Sequence, residues 1–187
     1  MAYSTTLGGV AIVGALVTLV AIGGVHFVAT DKNPLHDPVS DYGAGPHRRW
    51  YWAGVAGVSI AALALVLAAL AGVSAAPPVA IVLLVLFAVA RVAIAWFPTD
   101  VGVAIPTTAT GRIHGALAIV AFASVAIAAN GYPGVSPWFG WALYVTVALL
   151  LLCLLWPPAR AIFGLLERLF YVAMIAWFVA AGRALIG

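Results

Sequence analysis

Side chains that could do chemistry are concentrated in one stretch of the sequence, HDPVSDYGAGPHRRW, which spans residues 36–50. It holds two aspartates, two histidines and two arginines, although only 7% of the chain is charged. Carboxylates serve as general bases or metal ligands, imidazoles carry protons, and guanidinium groups bind phosphate or carboxylate. We therefore take Asp41 as a candidate catalytic residue and Asp37 and Ser40 as candidate binding residues.

Arg91 is the second unusual residue, because it lies several positions inside the apolar run LLVLFAVARVAIAW. A charge inside a membrane helix costs about 2.5–3.5 kcal/mol, so this side chain should face the interior and find a partner. Asp100, His114 and Glu167 are the candidate partners. A structural ion pair would satisfy Arg91 as well as a bound ligand would, and both roles stay open.

Two further catalytic candidates come from later segments of the chain. Asp100 would join Asp41 as a general base or metal ligand, and His114 would act as a proton shuttle. Arg91 would hold a phosphate or carboxylate head group. The complete set of candidate binding residues is Arg91, Ser40, Asp37, Arg112 and Glu167.

A metal or a haem is a weaker alternative. His26 and His114 lie in apolar segments and could hold a metal together with Asp100, or serve as axial haem ligands. No compact motif such as HExxH supports either idea, so no cofactor is firmly implied. The single cysteine, Cys153, excludes an intrachain disulfide and a cysteine-based zinc site.

Composition indicates that lipid surrounds much of this chain. Of its 187 residues, 66% are hydrophobic, and the mean hydropathy is +1.19. Soluble domains carry roughly 25% charged residues, so side chains this apolar could not all be hidden in a water-soluble core. The basic residues are spread along the chain without a basic stripe, which argues against nucleic-acid binding.

Six apolar segments are long enough to cross a membrane, which takes about 20 residues each. Linkers rich in glycine and proline, such as GVSAAPP and NGYPGVSPW, separate them. The sequence therefore predicts an all-α, single-domain bundle over residues 1–187. The predicted helices are approximately residues 7–29, 50–73, 78–97, 113–129, 137–156 and 162–185.

Basic residues in the first, third and fifth linkers predict that these linkers are cytoplasmic, with both termini outside. The first segment lacks a basic flank, so we expect a retained helix rather than a signal peptide. All five acidic and seven of the eight basic residues then fall at or near the cytoplasmic face. We expect a multi-pass protein of the cell membrane, with HDPVSDYG forming an ordered cap over a polar pocket.

Four blocks together resemble one family: HDPVSDYGAGPHRRW, RVAIAWFPTD, GRIHGALA and GLLERLFYVAMIAWF. It is the integral membrane family catalogued as domain of unknown function 998, and the similarity spans essentially the whole chain. A looser likeness, in layout only, is to the Frag1/DRAM/Sfk1 membrane proteins, some of them tied to lipid-anchor remodelling. The family resemblance implies a six-helix membrane fold, with Ser40, Asp41, Arg91, Asp100, His114 and Glu167 at the family's polar motif positions.

Three functions remain, in descending order. The first is an enzyme or binding protein directed at a membrane lipid or other amphiphile. The second is a structural protein whose polar loop docks a partner. The third is a small-molecule transporter; the opposite half of the bundle lacks a polar path, which assembly into a homo-oligomer would have to supply.

Overall fold

The computed structural model describes residues 2–102 and 105–187, and the described chain is helical, without strands. Six of its helices are long and apolar enough to cross a membrane, the third of them together with its short 3₁₀ extension Ile94–Trp96. This confirms the predicted all-α bundle. The helices are α1 (Ala2–Val28), α2 (Arg48–Leu70), α3 (Pro78–Ala93), α4 (Ala109–Asn130), α5 (Pro137–Leu155) and α6 (Phe163–Ile186).

Helices α1 and α4 begin four or more residues earlier than the hydropathy predicted. Helix α1 begins at Ala2 instead of residue 7, and α4 begins at Ala109 instead of residue 113. At α4 the cause is a cap: the Thr108 hydroxyl accepts a hydrogen bond from the Gly111 N–H at 2.9 Å. Such a cap stabilises a polar first turn, which an apolar window does not detect.

The helices form a ring in chain order, and the ring closes because α6 packs against α1. Helices α1 and α2 approach each other closely, since a Cβ added to Gly14 would lie 2.5 Å from the Gly57 carbonyl oxygen. Beside it, the Thr18 hydroxyl donates to the Gly54 carbonyl across the helix pair at 2.9 Å. Small residues allow membrane helices to pack at this distance.

Helix α6 supplies the aromatic centre of the bundle. Its Phe170 stacks on Phe122 of α4, with ring centroids 4.2 Å apart, and its Phe178 meets Phe87 of α3 at 5.8 Å. These side chains are buried, whereas valines and leucines on the outer faces are exposed. The outer surface is therefore suited to lipid, and the inward face of α6 can present polar side chains to the interior.

We call the end of the bundle that carries residues 29–47, 97–102, 105–108 and 156–162 the polar end. Helices α2, α4 and α6 begin there, and α1, α3 and α5 end there. Trp96 and Trp156 are exposed at the polar end, and Trp138 and Trp141 are exposed at the opposite end. Tryptophan prefers the membrane–water interface, so the two sets mark the two interfaces.

Candidate functional site at the polar end

Residues 35–43, which we call the strap, lie across the beginning of α6. Val39, Asp41 and Tyr42 of the strap are buried, as expected for an ordered cap. The Leu165 N–H donates to the Leu35 carbonyl at 3.1 Å. One position earlier, Gly164 leaves no room for a side chain between α6 and the strap. A Cβ added there would lie 2.5 Å from the Asp37 carbonyl oxygen.

Arg168 of α6 fastens the strap. Its Nη1 donates to the Asp37 carbonyl at 2.8 Å and its Nη2 to the Tyr42 hydroxyl at 3.1 Å. Its Nε donates to Nε2 of His26 at 2.7 Å. Neither Arg168 nor Tyr42 was among the predicted site residues. The signal was present, because a charge inside the apolar run GLLERLF needs partners for the same reason that Arg91 does.

Both ring nitrogens of His26 have partners. Nδ1 lies 2.6 Å from the Ile22 carbonyl, which can only accept, so Nδ1 carries the hydrogen and Nε2 accepts from Arg168. Within the described residues no group of three His, Cys, Asp or Glu side chains is arranged to hold a metal ion. The predicted metal set of His26, His114 and Asp100 therefore does not come together.

Asp41 ties the strap to the linker that follows α3. Its Oδ2 accepts from the Gly102 N–H at 3.3 Å and lies 3.9 Å from Nζ of Lys32. Its Oδ1 is buried and has no hydrogen-bond partner among the described residues. Burial, which disfavours the charged form, raises the pKa of Asp41 above its usual value.

Glu167 holds the strap from below. Its carboxylate is buried, and Oε2 accepts the Val39 N–H at 2.7 Å. A buried backbone N–H needs an acceptor, and this strap residue finds one on α6. Glu167 was a candidate binding residue and a candidate partner of Arg91; its carboxylate instead accepts a hydrogen bond from the strap.

Arg91 is buried in the interior, with 1% of its side chain exposed, but its partners differ from the prediction. Its Nη2 donates to the Tyr171 hydroxyl at 2.6 Å, and its guanidinium lies over the rings of Tyr51 and Tyr171, 5.7 and 5.5 Å from their centroids. Among the described residues no carboxylate lies within 4.0 Å of it, and its Nε has no hydrogen-bond partner.

None of the predicted partners Asp100, His114 and Glu167 therefore contacts Arg91 as an ion pair, although the charge of the buried Glu167 acts on the guanidinium from a greater distance. A phenol can replace a carboxylate here because its oxygen accepts a hydrogen bond and its ring face attracts a cation. A search for opposite charge does not consider tyrosine, so Tyr51 and Tyr171 were missed. Their positions in apolar helices gave no separate signal.

His114 and Ser40 line the same small cavity, together with Tyr51 and Thr99. Nδ1 of His114 lies 2.7 Å from the Phe97 carbonyl and therefore carries the hydrogen, which leaves Nε2 as the acceptor. The cavity volume is about 10 Å³, enough for roughly one water molecule. The strap thus brings two sequence-predicted residues together beside the ring that contacts Arg91.

Asp100 is half-buried and caps the beginning of α4. Its carboxylate accepts from the Thr108 hydroxyl at 2.6 Å and from the N–H groups of Thr107 and Thr108 at 2.7 and 2.9 Å. These hydrogen bonds, those from Thr108 above all, lower the pKa of Asp100 to about 2. A carboxylate of that pKa is a weak general base at neutral pH.

We expect Asp100→Asn to remove an acid-dependent part of the stability. A carboxyl group whose folded pKa is depressed stabilises the fold above its unfolded pKa, and this contribution disappears as pH falls through the folded pKa. The difference in Tm between wild type and Asp100→Asn should therefore shrink between pH 4 and about 2. A difference in Tm that stays constant over this range would contradict the capping role.

Of the predicted binding residues, Ser40 lines the cavity, whereas Arg91, Glu167, Asp37 and Arg112 lie outside the lining. Asp37 is half-buried, and its Oδ2 accepts the Asn33 N–H at 2.8 Å, which closes a turn. Arg112 is exposed in the first turns of α4. Asp37 therefore shapes the strap, and Arg112 adds positive charge to the surface of the polar end.

Six lipid-facing helices with buried polar side chains at one end define a multi-pass integral membrane protein. The model of the family described as "Protein of unknown function (DUF998)" matches residues 12–184. The chain belongs to this family, as the four sequence blocks indicated. Comparison with curated proteins and with solved structures gives no match.

Proposed function

We propose that this protein binds the anionic head group of a membrane amphiphile at Arg91. The supporting observation is a fully buried guanidinium with no carboxylate within 4.0 Å among the described residues and with an unpartnered Nε. Arginine stays protonated in proteins, and a buried charge without a directly contacting counter-ion is costly. A phosphate or carboxylate would place a negative charge in contact with the guanidinium and accept from Nε.

The depth of Arg91 suits a lipid head group. It precedes the exposed Trp96 by five positions, or roughly 7 Å along a helix. Tryptophan belts lie at head-group level. Arg48, Arg49 and Arg112 are exposed at the same end, where they would attract anionic lipids. We place this end at the cytoplasmic leaflet of the cell membrane, following the distribution of basic residues.

A second candidate is a reaction on the bound head group. The observation that favours it is the shared cavity of Ser40 and His114. With its hydrogen on Nδ1, His114 keeps an acceptor nitrogen for a proton-shuttle role. Asp41 would be the carboxylate of this reaction, since Asp100 is engaged in capping.

The test compares lipid retention by wild type and Arg91→Met. The purified proteins are exposed to phosphatidylglycerol, oleate and phosphatidylcholine, and retained lipid is measured by native mass spectrometry. A charged hydrogen bond contributes about 1.5–3 kcal/mol, so Arg91→Met should weaken anionic binding about 10- to 100-fold. Preference for phosphatidylglycerol or for oleate would distinguish a phosphate from a carboxylate ligand.

Arg183→Met is the matched control, because Arg183 is exposed at the opposite end of the bundle. It should retain anionic lipid as the wild type does. Equal retention by wild type and Arg91→Met would overturn the proposal. Equal retention of phosphatidylcholine and phosphatidylglycerol by wild type would show that charge is not what is recognised.

A further inference from the structure

Tyr51, whose ring contacts the Arg91 guanidinium, lines a very small cavity in this structure, and Arg91 itself is not part of the lining. The cavity volume of about 10 Å³ is far below the space that a phosphate or carboxylate head group needs. Ser40 and Gly43 of the strap form one side of it, and Tyr51 and His114 form the other. A head group can therefore reach Arg91 by this route only if one wall moves.

The strap meets the surroundings of Arg91 at two places, the ring of Tyr51 and the carboxylate of Glu167. A Cβ added to Gly43 would lie 2.7 Å from the ring of Tyr51, the ring over which the Arg91 guanidinium lies. On α6, Glu167 accepts the Val39 N–H one helical turn before Tyr171, which accepts from Arg91. Movement of the strap would therefore uncover both Tyr51 and the interior beneath Glu167.

Few hydrogen bonds join the strap to α6, although its buried side chains also pack against the rest of the bundle. Apart from the Leu165–Leu35 backbone bond, its hydrogen bonds to α6 come from the side chains of Glu167 and Arg168. The chain leaves the strap through Gly45, where an added Cβ would meet only one atom, at 3.8 Å. This exit has room for a change in backbone direction, as a hinge requires.

We propose that the strap is a lid that swings away from α6 to admit an anionic head group to Arg91, with Glu167 and Arg168 as its latch. This inference rests on the proposed function, because it assigns the lid to the same site. In the closed state the cavity accommodates only water. Apparent affinity is then reduced by the fraction of molecules that are closed.

A reversible lock tests the lid. Leu35→Cys and Leu165→Cys place thiols at two exposed positions whose backbones are hydrogen-bonded at 3.1 Å, in a Cys153→Ala background. Disulfide formation is followed by intact mass. The oxidised protein should bind phosphatidylglycerol vesicles at least about tenfold more slowly than the same protein after reduction. The control is the Leu35→Cys single variant, in which the reductant should change nothing.

Hydrogen exchange of the wild type provides the second measurement and does not depend on a ligand. The amides of residue 37 and residues 39–43 should exchange together and faster than those in the interior of α2. Anionic lipid should change the exchange rate of these strap amides. Equal binding by oxidised and reduced protein would overturn the lid but leave the proposed function standing. Absence of anionic binding by wild type would overturn the function. The lid is overturned independently if residues 37–43 exchange as slowly as α2.

Discussion

We expect Arg168→Leu to lower the free energy of unfolding by about 3–5 kcal/mol. Arg168 donates to three groups outside its own helix: the His26 ring, the Asp37 carbonyl and the Tyr42 hydroxyl. Hydrogen bonds from charged donors contribute more than neutral ones, and leucine leaves every acceptor unpaired. The hydrogen bonds by which Arg168 joins both the strap and α1 to α6 would be lost.

Arg168→Lys separates charge from geometry in the same experiment. Lysine keeps the charge but cannot place donors on three separate acceptors as the planar guanidinium does. It should recover only part of the lost stability. Thermal unfolding in detergent, followed by far-UV circular dichroism, measures the differences, and Arg183→Leu at the opposite end serves as control. If Arg168→Leu unfolds at the wild-type Tm, the hydrogen bonds of Arg168 do not stabilise the fold.

Hydropathy was sufficient to predict the six helices because each must present an apolar surface to lipid. It was not sufficient for the beginning of α4, where the Asp100–Thr108 cap continues the helix into a polar segment. The cost of burying a charge correctly placed Arg91 inside the bundle. The same cost applies to Arg168 and would have predicted that its guanidinium has hydrogen-bond partners in the bundle.

The partners of the candidate residues were harder to predict. They depend on how the strap folds back onto α6, a contact between positions more than 120 residues apart in the chain. Asp100 and His114 were grouped as catalytic because both were predicted to lie at the same face of the bundle. In the structure the Asp100 carboxylate turns toward the beginning of α4 as a cap, whereas His114 lines the cavity. Sequence spacing does not distinguish these two orientations.

Function and stability should oppose each other at Arg91, and this gives the second large expected effect. Replacing a buried charged group and its partner by apolar residues of similar size often stabilises a protein by about 1–4 kcal/mol, because the cost of desolvation disappears. The double variant Arg91→Met with Tyr171→Phe removes both the guanidinium and the hydroxyl that accepts from it. In lipid-free detergent it should unfold at a higher Tm than wild type.

The single variant Arg91→Met should be less stable than the double variant, because it leaves the buried Tyr171 hydroxyl without its donor. Both variants should lose preferential retention of anionic lipid. Such a gain of stability with a loss of binding is the pattern of a residue kept for its ligand. If both variants unfold at a lower Tm than wild type, Arg91 specifies the fold, and its burial then requires no head group.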